Sequence, residues 1–470
     1  MSKIEKKSRK NKKLFGTSGI RGKVDGEITA NLALNVAKAL ATYLNGEGDI
    51  VLGYDTRTTN KMLENAITAG LVESGCNVLK IGMVPTPLVG YATEKLNATA
   101  GIMITASHNP SQYNGIKIWN KNGMAYTPSQ EDEIEKIYYS EKFTEVGWDN
   151  IGSIEYIEEI KQKYLDDLLN TVDIKDGLKV VLDTASGAGS ELSPLAFRMA
   201  GCELITLNSQ VDGFFPGRNP EPNEANLQDL MKVVVATGAD LGIAHDGDAD
   251  RMMAIDENGA IGAFDKLLAI ISKYMAEKSQ RSDIKIVSTV DAGLCMDEAV
   301  RDLGGKIIRT KVGDVSVAEA IIKEDAIFGG EPSGTWLHPD FCICPDGLLS
   351  GLRMAEIISK KGPLSKLLDE IPTYPNIREK IDCSKEDKIK AMENMEDLLI
   401  NAFDNIDEIN IADVNNIDGV RITFDDDSWI LVRPSGTEDY IRITLESKNE
   451  DRAEIIRNVS FKVIKNSLNE

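Results

Sequence analysis

The sequence predicts an α/β protein: three related α/β mixed-sheet domains plus a C-terminal α+β domain around a central cleft. Three observations predict it. Strand-like and helix-like stretches alternate in three successive passes, each pass ends in a polar loop directly after a strand, and beyond residue 369 the pattern changes to short strands in tandem. The corresponding domain spans are 1–152, 153–253, 254–368 and 369–470.

In the first pass Leu32, Val36, Leu40 and Leu44 recur at helical spacing after the N-cap residue Thr29, and Gly46 stops the helix. Residues 49–55 read as a buried strand, 61–74 as a helix, and 77–81 and 101–105 as strands, an alternation that implies parallel strands covered by helices. The second pass repeats the plan with strands at 178–183, 203–207 and 240–244 and helices at 192–199 and 227–236. The third has helices at 266–278 and 316–323 and strands at 284–288, 306–309 and 326–328. Ser107, Asp246 and Glu331 follow the last strand of their passes, and the carboxyl ends of strands are where open α/β sheets place ligands. The closing domain shows strands at 419–424, 428–433 and 439–445.

At 470 residues the chain has room for three or four domains of roughly 100–150 residues each. Its 53 Lys and Arg against 75 Asp and Glu give a net charge of −22, which disfavours nucleic acid and anionic membranes as partners. An anionic substrate must then be held by local Arg and Lys. The six cysteines form no CxxC pair, so free thiols in a reducing compartment are expected. No stretch reaches the roughly 20 apolar residues of a membrane helix. The segment 3–13 carries seven Lys or Arg and one Glu without a following apolar run, which reads as an extension and not a signal peptide. A cytoplasmic location is the expectation.

Two motifs carry the chemistry. Thr-Ala-Ser-His-Asn-Pro, 105–110, sets Ser107 between a strand and the turn formers Asn109 and Pro110, lifting the hydroxyl out of the sheet edge with His108 beside it. Asp-Gly-Asp-Ala-Asp-Arg, 246–251, lets alternate carboxylates of Asp246, Asp248 and Asp250 converge on a hard cation, Mg²⁺ sitting ~2.1 Å from its oxygens. Asp246, Asp248, Asp250 and Glu257 also occupy EF-hand ligand positions. That alternative fails because Arg251 stands where the calcium loop turns on glycine and a strand, not a helix, leads in. Taken alone, the first motif is most simply a turn serine, and a solvated acidic turn competes for the second. Together they hold the parts phosphoryl transfer needs, which are positioning and charge neutralisation.

Two further loops are weaker signals. Gly-Gly-Glu-Pro-Ser-Gly, 329–334, presents Glu331 and Ser333, suited to sugar hydroxyls or an amine. Arg-Pro-Ser-Gly-Thr, 433–437, joins the guanidinium of Arg433 to Ser435, Gly436 and Thr437 as a phosphate cradle, with an ordinary β-turn as its plain alternative. Arg442 follows on the face of Tyr440 and could add a second cation.

Taken together, these motifs resemble the α-D-phosphohexomutase superfamily, from Phe-Gly-Thr-Ser-Gly-Ile-Arg-Gly at 15–22 to Arg-Pro-Ser-Gly-Thr-Glu at 433–438, nearly the whole chain. The resemblance implies that Ser107 carries a phosphoryl group, gives it to a hexose monophosphate to make a bisphosphate, and takes back the other phosphoryl group after the sugar turns around. It implies Mg²⁺ held by phosphorylated Ser107, Asp246, Asp248 and Asp250, and a hexose 1,6-bisphosphate as activator. It further implies Lys117 as a proton carrier, which would need a lowered pKa, with Arg251 and Arg21 on phosphate charge. Glu331, Ser333, Thr310 and Gly313 would face the sugar, and Arg433, Ser435, Gly436 and Thr437 the non-reacting phosphate. Many relatives have histidine where this chain has Thr335; His338 could compensate, or be a surface histidine.

Within the superfamily, the segments 15–22, 105–108 and 309–314 look most like phosphoglucosamine mutases, archaeal ones in particular. The expected reaction is glucosamine 6-phosphate to glucosamine 1-phosphate, feeding UDP-N-acetylglucosamine synthesis. Phosphomannomutase or phosphoglucomutase activity is the near alternative. A phosphosugar-binding protein without turnover, or a phosphatase using the same serine, are readings of other classes.

Overall fold

The computed structural model describes residues 13–16, 19–406, 409–435 and 439–469. In chain order the first two passes give β1 (Ile20–Lys23), α1 (Ala30–Tyr43), β2 (Asp49–Tyr54), α2 (Asn60–Glu73), β3 (Asn77–Met83), α3 (Thr86–Lys95), β4 (Ala100–Ile104), β5 (Tyr113–Asn120), α4 (Pro128–Ser140), β6 (Ile154–Tyr156), α5 (Ile160–Leu169), β7 (Lys179–Asp183), α6 (Leu192–Met199), β8 (Glu203–Leu207), α7 (Gln228–Thr237), β9 (Leu241–His245) and β10 (Met252–Ile255). The third supplies α8 (Phe264–Lys278), β11 (Lys285–Thr289), α9 (Leu294–Arg301), β12 (Lys306–Thr310), α10 (Asp314–Glu324), β13 (Phe328–Gly330), β14 (Trp336–His338), β15 (Cys342–Pro345), α11 (Gly347–Lys361) and α12 (Leu364–Glu370). The last part holds β16 (Asn376–Asp382), α13 (Lys385–Glu393), α14 (Met395–Phe403), β17 (Ile411–Asn415), β18 (Val420–Phe424), β19 (Trp429–Pro434), β20 (Tyr440–Glu446) and α15 (Glu450–Asn469).

These elements form two compact units. Among the described residues, the first comprises 13–264, 313–318 and 333–368; the second comprises 265–312, 319–332 and 369–469.

In the first unit one sheet runs β1-β5-β4-β2-β3-β6 and a second runs β10-β9-β7-β8. Strands β2, β3, β4 and β6 are parallel, as the alternation implies, but β5 runs antiparallel to β4 and β1, and β10 antiparallel to β9. Alternation alone could not reveal this, because each antiparallel partner follows its strand through a functional loop instead of a helical crossover. Thr29 caps α1 by accepting from the Leu32 backbone N–H, and α1 turns Val36 and Leu40 onto a core shared with Ile50, Leu52 and Ile102. The hairpin β14–β15 also belongs to this unit, where Tyr91 of α3 stacks on Phe341 at 5.3 Å between ring centres.

The second unit carries the parallel set β12-β11-β13 and an antiparallel sheet β16-β20-β19-β18-β17. On the antiparallel sheet Ile430, Val432, Ile441 and Ile443 face a core with Met395, Leu399 and Phe403 of α14. The alternate residues therefore face away from those helices. All six cysteines are unpaired, five of them buried. No helix among the described residues is long and apolar enough to cross a membrane.

Candidate active site

Ser107 lies in the loop from β4 to β5, at φ 49°, a left-handed conformation that strains a non-glycine residue. Its backbone N–H donates to Thr105 Oγ1 at 2.8 Å, and the loop is clamped by Arg57. That guanidinium donates to the carbonyls of Pro110 at 2.7 Å, Tyr113 at 2.9 Å, Ser107 at 2.9 Å and Asn109 at 2.6 Å, while its Nε donates to Asp55 at 3.0 Å. Asp55 also accepts from Thr105 Oγ1 and Asn60 Nδ2. The clamp folds the serine inward: Ser107 is 1% exposed, not raised at an open sheet edge as the turn residues suggest.

Its hydroxyl donates to Asp246 Oδ2 at 2.7 Å. Asp246 follows β9, a strand and not a helix, and Arg251 precedes the antiparallel return on β10. The two loops touch through Gly247, where a Cβ would lie 2.5 Å from the Ser107 carbonyl oxygen, so only glycine fits. Carboxylate oxygens of Asp246, Asp248 and Asp250 lie within 4.8 Å of one another, and all three residues are buried.

Asp248 Oδ2 accepts from Thr86 Oγ1 at 2.6 Å and Lys117 Nζ at 3.3 Å, and Asp250 Oδ2 accepts from Lys117 Nζ at 2.8 Å. Oδ1 of both Asp248 and Asp250 is buried without a hydrogen-bond partner among the described residues. A pair of bare, desolvated carboxylate oxygens beside a third carboxylate is a donor set for a hard cation such as a divalent metal. Burial, then the neighbouring Asp250 and Asp248, push the Asp246 carboxyl well above the usual range. Burial acts the same way on Asp248, yet Lys117, the Thr86 hydroxyl and Asp246 prevail and hold it low.

Lys117 sits on β5, pointed at these carboxylates by the antiparallel register Met103 to Lys117. Burial alone would lower its pKa, but Asp248 and Asp250 raise it above the ordinary lysine value. It is thus an ammonium ion in this state, contrary to the lowered pKa expected of a base. His108 Nδ1 is 3.3 Å from Ser107 Oγ and Nε2 is 3.5 Å from Glu221. Burial, with Arg251 and Arg21 nearby, pushes His108 down to about 3, so the ring is neutral near pH 7. Arg21 of β1 donates to Asn109 Oδ1 at 3.2 Å, and Arg251 lies 3.5 Å from Glu221.

Thr335 forms an antiparallel bridge with Arg251 and accepts from Ser333 Oγ at 3.1 Å. His338 is 1% exposed, not a surface residue. Its Nε2 lies 2.9 Å from Ser350 Oγ, and because that hydroxyl donates to the Asp346 carbonyl, the imidazole is the donor. Burial holds its pKa well below the ordinary value, so it is a neutral, packed histidine in β14. Gly313, at φ 128°, precedes α10.

In the second unit Thr310 closes β12 with its hydroxyl on the Lys311 carbonyl, and Glu331 follows β13 half-buried. Arg433 is the penultimate residue of β19, with Nη1 2.9 Å from Asp418 Oδ2. The Ser435 N–H donates to the Tyr440 carbonyl and its own carbonyl accepts from Lys388 Nζ at 2.7 Å. Arg442 Nη2 donates to the Tyr440 hydroxyl at 2.8 Å. Gly436 and Thr437 of the cradle, and Thr17 and Ser18 of the 15–22 segment, lie outside the described residues. A cavity of about 660 Å³ opens on this face, lined by Arg378, Lys380, Arg433, Tyr440, Arg442 and Asp291 among others.

Sequence reasoning missed Arg57, Asp55 and Thr86. Asp-Thr-Arg at 55–57 follows the end of a predicted strand, which was the available signal, but a buried clamp and a solvated loop look alike in one dimension.

A hydroxyl seated on a buried three-carboxylate cluster, with a lysine and two arginines around it, defines an enzyme of phosphoryl transfer. Family models for phosphoglucomutase/phosphomannomutase match almost end to end: α/β/α domain I at 12–145, domain II at 155–259, domain III at 263–374 and the C-terminal domain at 380–459. The chain belongs to this family, one of the α-D-phosphohexomutase superfamily, whose members are intramolecular phosphotransferases that use a metal ion. A probable phosphoglucosamine mutase of Methanobrevibacter smithii is 69% identical over 457 residues, covering 97% of this chain and 99% of the relative. A phosphoglucomutase/phosphomannomutase family protein from Burkholderia thailandensis has the same fold, with TM-score 0.86, 26% identity and 97% of each chain covered. An Aspergillus fumigatus N-acetylphosphoglucosamine mutase, solved with GlcNAc-6P and magnesium, shares the fold at TM-score 0.60 and 14% identity, with 98% of each chain covered.

Proposed function

We propose that this protein interconverts glucosamine 6-phosphate and glucosamine 1-phosphate, supplying the 1-phosphate for UDP-N-acetylglucosamine synthesis. The observation that carries the chemistry is the 2.7 Å hydrogen bond from Ser107 to Asp246 inside a cluster with two carboxylate oxygens that have no partner among the described residues. The choice of sugar is supported by the 69% identical relative, named as a probable phosphoglucosamine mutase.

In this reading Ser107 works as a phosphoserine. The bond from phosphorus to Ser107 Oγ breaks as the bond to the sugar hydroxyl forms, and one proton moves the opposite way, from that hydroxyl to the serine oxygen. The bisphosphate then reorients and the reverse transfer restores phosphoserine. Asp246, Asp248 and Asp250 hold Mg²⁺, which when bound neutralises the charge of phosphoryl oxygens and carboxylates alike. Arg21 and Arg251 add positive charge at the transferring group. Lys117 enters as an ammonium and is the group able to carry the travelling proton, which requires its two carboxylates to be otherwise engaged during turnover. His108, neutral, positions the serine. Arg433, Ser435, Gly436, Thr437 and Arg442 hold the non-reacting phosphate, while Glu331, Ser333, Thr310 and Gly313 read the sugar. Hexose 1,6-bisphosphate restores enzyme that has lost its phosphoryl group.

The test is ³¹P NMR of the protein with Mg²⁺, a trace of hexose 1,6-bisphosphate and, in parallel, glucosamine, glucose or mannose 6-phosphate. Fastest appearance of a 1-phosphate signal from glucosamine 6-phosphate is expected. Faster conversion of glucose or mannose 6-phosphate would reassign the sugar and keep the mechanism. Net release of inorganic phosphate, or no change in any tube, would refute the mutase reading.

A further inference from the structure

Strand β16 carries none of the motifs, yet it brings two cations to the cavity of the C-terminal sheet. Lys380 lies directly opposite Arg442 on β20, and Arg442 directly opposite Arg433 on β19. Residues opposite one another in antiparallel strands share a face, so three like charges stand in one row across three strands, an arrangement that destabilises a sheet unless an anion offsets it. Arg378, next on the same face of β16, is 3.5 Å from Asp265, and Arg433 is 2.9 Å from Asp418. Lys380 and Arg442 have no carboxylate partner among the described residues; both stand over the Tyr440 ring, at 5.3 and 5.7 Å from its centre. The Glu379 carboxylate is engaged by Arg457, and Asp291 of the cavity lining accepts from Thr289.

A phosphate dianion needs two positive charges. Arg433 is already neutralised by Asp418, so the charge available to match it comes from Arg442 and Lys380. Resting on the reading above, we propose that Lys380 is a binding residue for the non-reacting phosphate of the sugar, acting with Arg442, so that the phosphate subsite extends from the 433–437 loop onto β16. Lys380 is exposed, so replacing it leaves the core behind the sheet intact.

The experiment compares wild type, Lys380→Ala and Lys380→Arg in the full-length protein. With glucosamine 6-phosphate, Lys380→Ala raises KM about fivefold with kcat changed less than twofold, and flattens the dependence of log KM on log salt. Lys380→Arg keeps KM within about twofold of wild type. Independently of turnover, inorganic phosphate is titrated and followed by ³¹P line broadening; it binds wild type about fivefold more tightly than Lys380→Ala. Unchanged KM with unchanged phosphate binding, or loss of kcat at constant KM, would make Lys380 an ordinary solvated lysine and overturn the proposal. A wild type that turns over no hexose phosphate refutes the mutase reading alone, and the phosphate titration then decides on Lys380: weaker binding by the variant supports it, while equal binding or none overturns it.

Discussion

Replacing Arg57 with lysine keeps the positive charge beside Asp55 but removes the fork that holds the serine loop. The guanidinium makes five hydrogen bonds, four to loop carbonyls and one to Asp55, with its side chain fully buried. An ammonium has three donors converging on one point, so at least two of these acceptors lose their donor. At about 1–3 kcal/mol for each buried group left unsatisfied, Arg57→Lys should destabilise the first unit by roughly 2–6 kcal/mol, reduced where a carbonyl finds water. Arg57→Ala also strands the buried Asp55 carboxylate, at a cost of about 3–5 kcal/mol for the broken pair. Because Ser107 and Asn109 carbonyls are two of the anchors, the loop shifts as well, and a displacement near 1 Å lowers kcat about a hundredfold. The assays are calorimetric unfolding and mutase turnover below the unfolding transition. Stability within about 0.5 kcal/mol of wild type, together with kcat within about twofold, would refute the reasoning that the guanidinium geometry sets the serine.

Thr86→Val deletes the hydroxyl that orients Asp248, and the Mg²⁺ concentration giving half-maximal activity should rise about 10–100-fold; an unchanged metal titration would remove Thr86 from the site. His108→Gln should lower rate uniformly between about pH 5 and 9, because a histidine held near 3 is neutral throughout; disappearance of a kinetic limb near its ordinary pKa would contradict this. Asp346 is pushed from 3.8 up to about 6, chiefly by burial. A raised carboxyl contributes stability that is present below about pH 4 and lost as pH rises through 6, a change of about 3 kcal/mol. Asp346→Asn keeps the N-cap through Oδ1 and the Tyr164 contact with its direction reversed, the amide NH2 donating to the hydroxyl, so its melting temperature should vary less than that of wild type between pH 4 and 7. Gly247→Ala places a methyl 2.5 Å from the Ser107 carbonyl and should cut kcat at least about tenfold, with equal activity arguing against close contact of the two loops.

The helices and strands with clean periodicity were readable directly: Thr29 is the cap of α1, and 192–199 and 203–207 fall on α6 and β8. Strand β5 was not, since Tyr-Asn-Gly-Ile-Lys-Ile-Trp-Asn is buried on both faces and lacks alternation, while Lys117 within it reads as a break. The antiparallel direction of β5 and β10 is invisible to any one-dimensional pattern. At the site, Ser107 and the aspartates announced themselves by local spacing. The ionic state of Lys117 did not, because it depends on carboxylates more than 130 positions away. His338 looked like surface because a lone histidine near Pro339 resembles a loop; only the packing of β14 against Ser350 of α11 shows otherwise. The β16 cations escaped notice for a related reason: Lys380 gains meaning from Arg442 and Arg433, its neighbours across two strands.

The bond between Ser107 and Asp246 joins atoms 139 positions apart, one at the end of β4 and the other at the end of β9. On the ribosome the serine therefore emerges long before its carboxylates, and it stays an ordinary alcohol until both sheets have formed and docked. Any competence that rests on this pair is therefore a report of completed folding: a truncated or half-folded chain has the hydroxyl without the carboxylate that receives it.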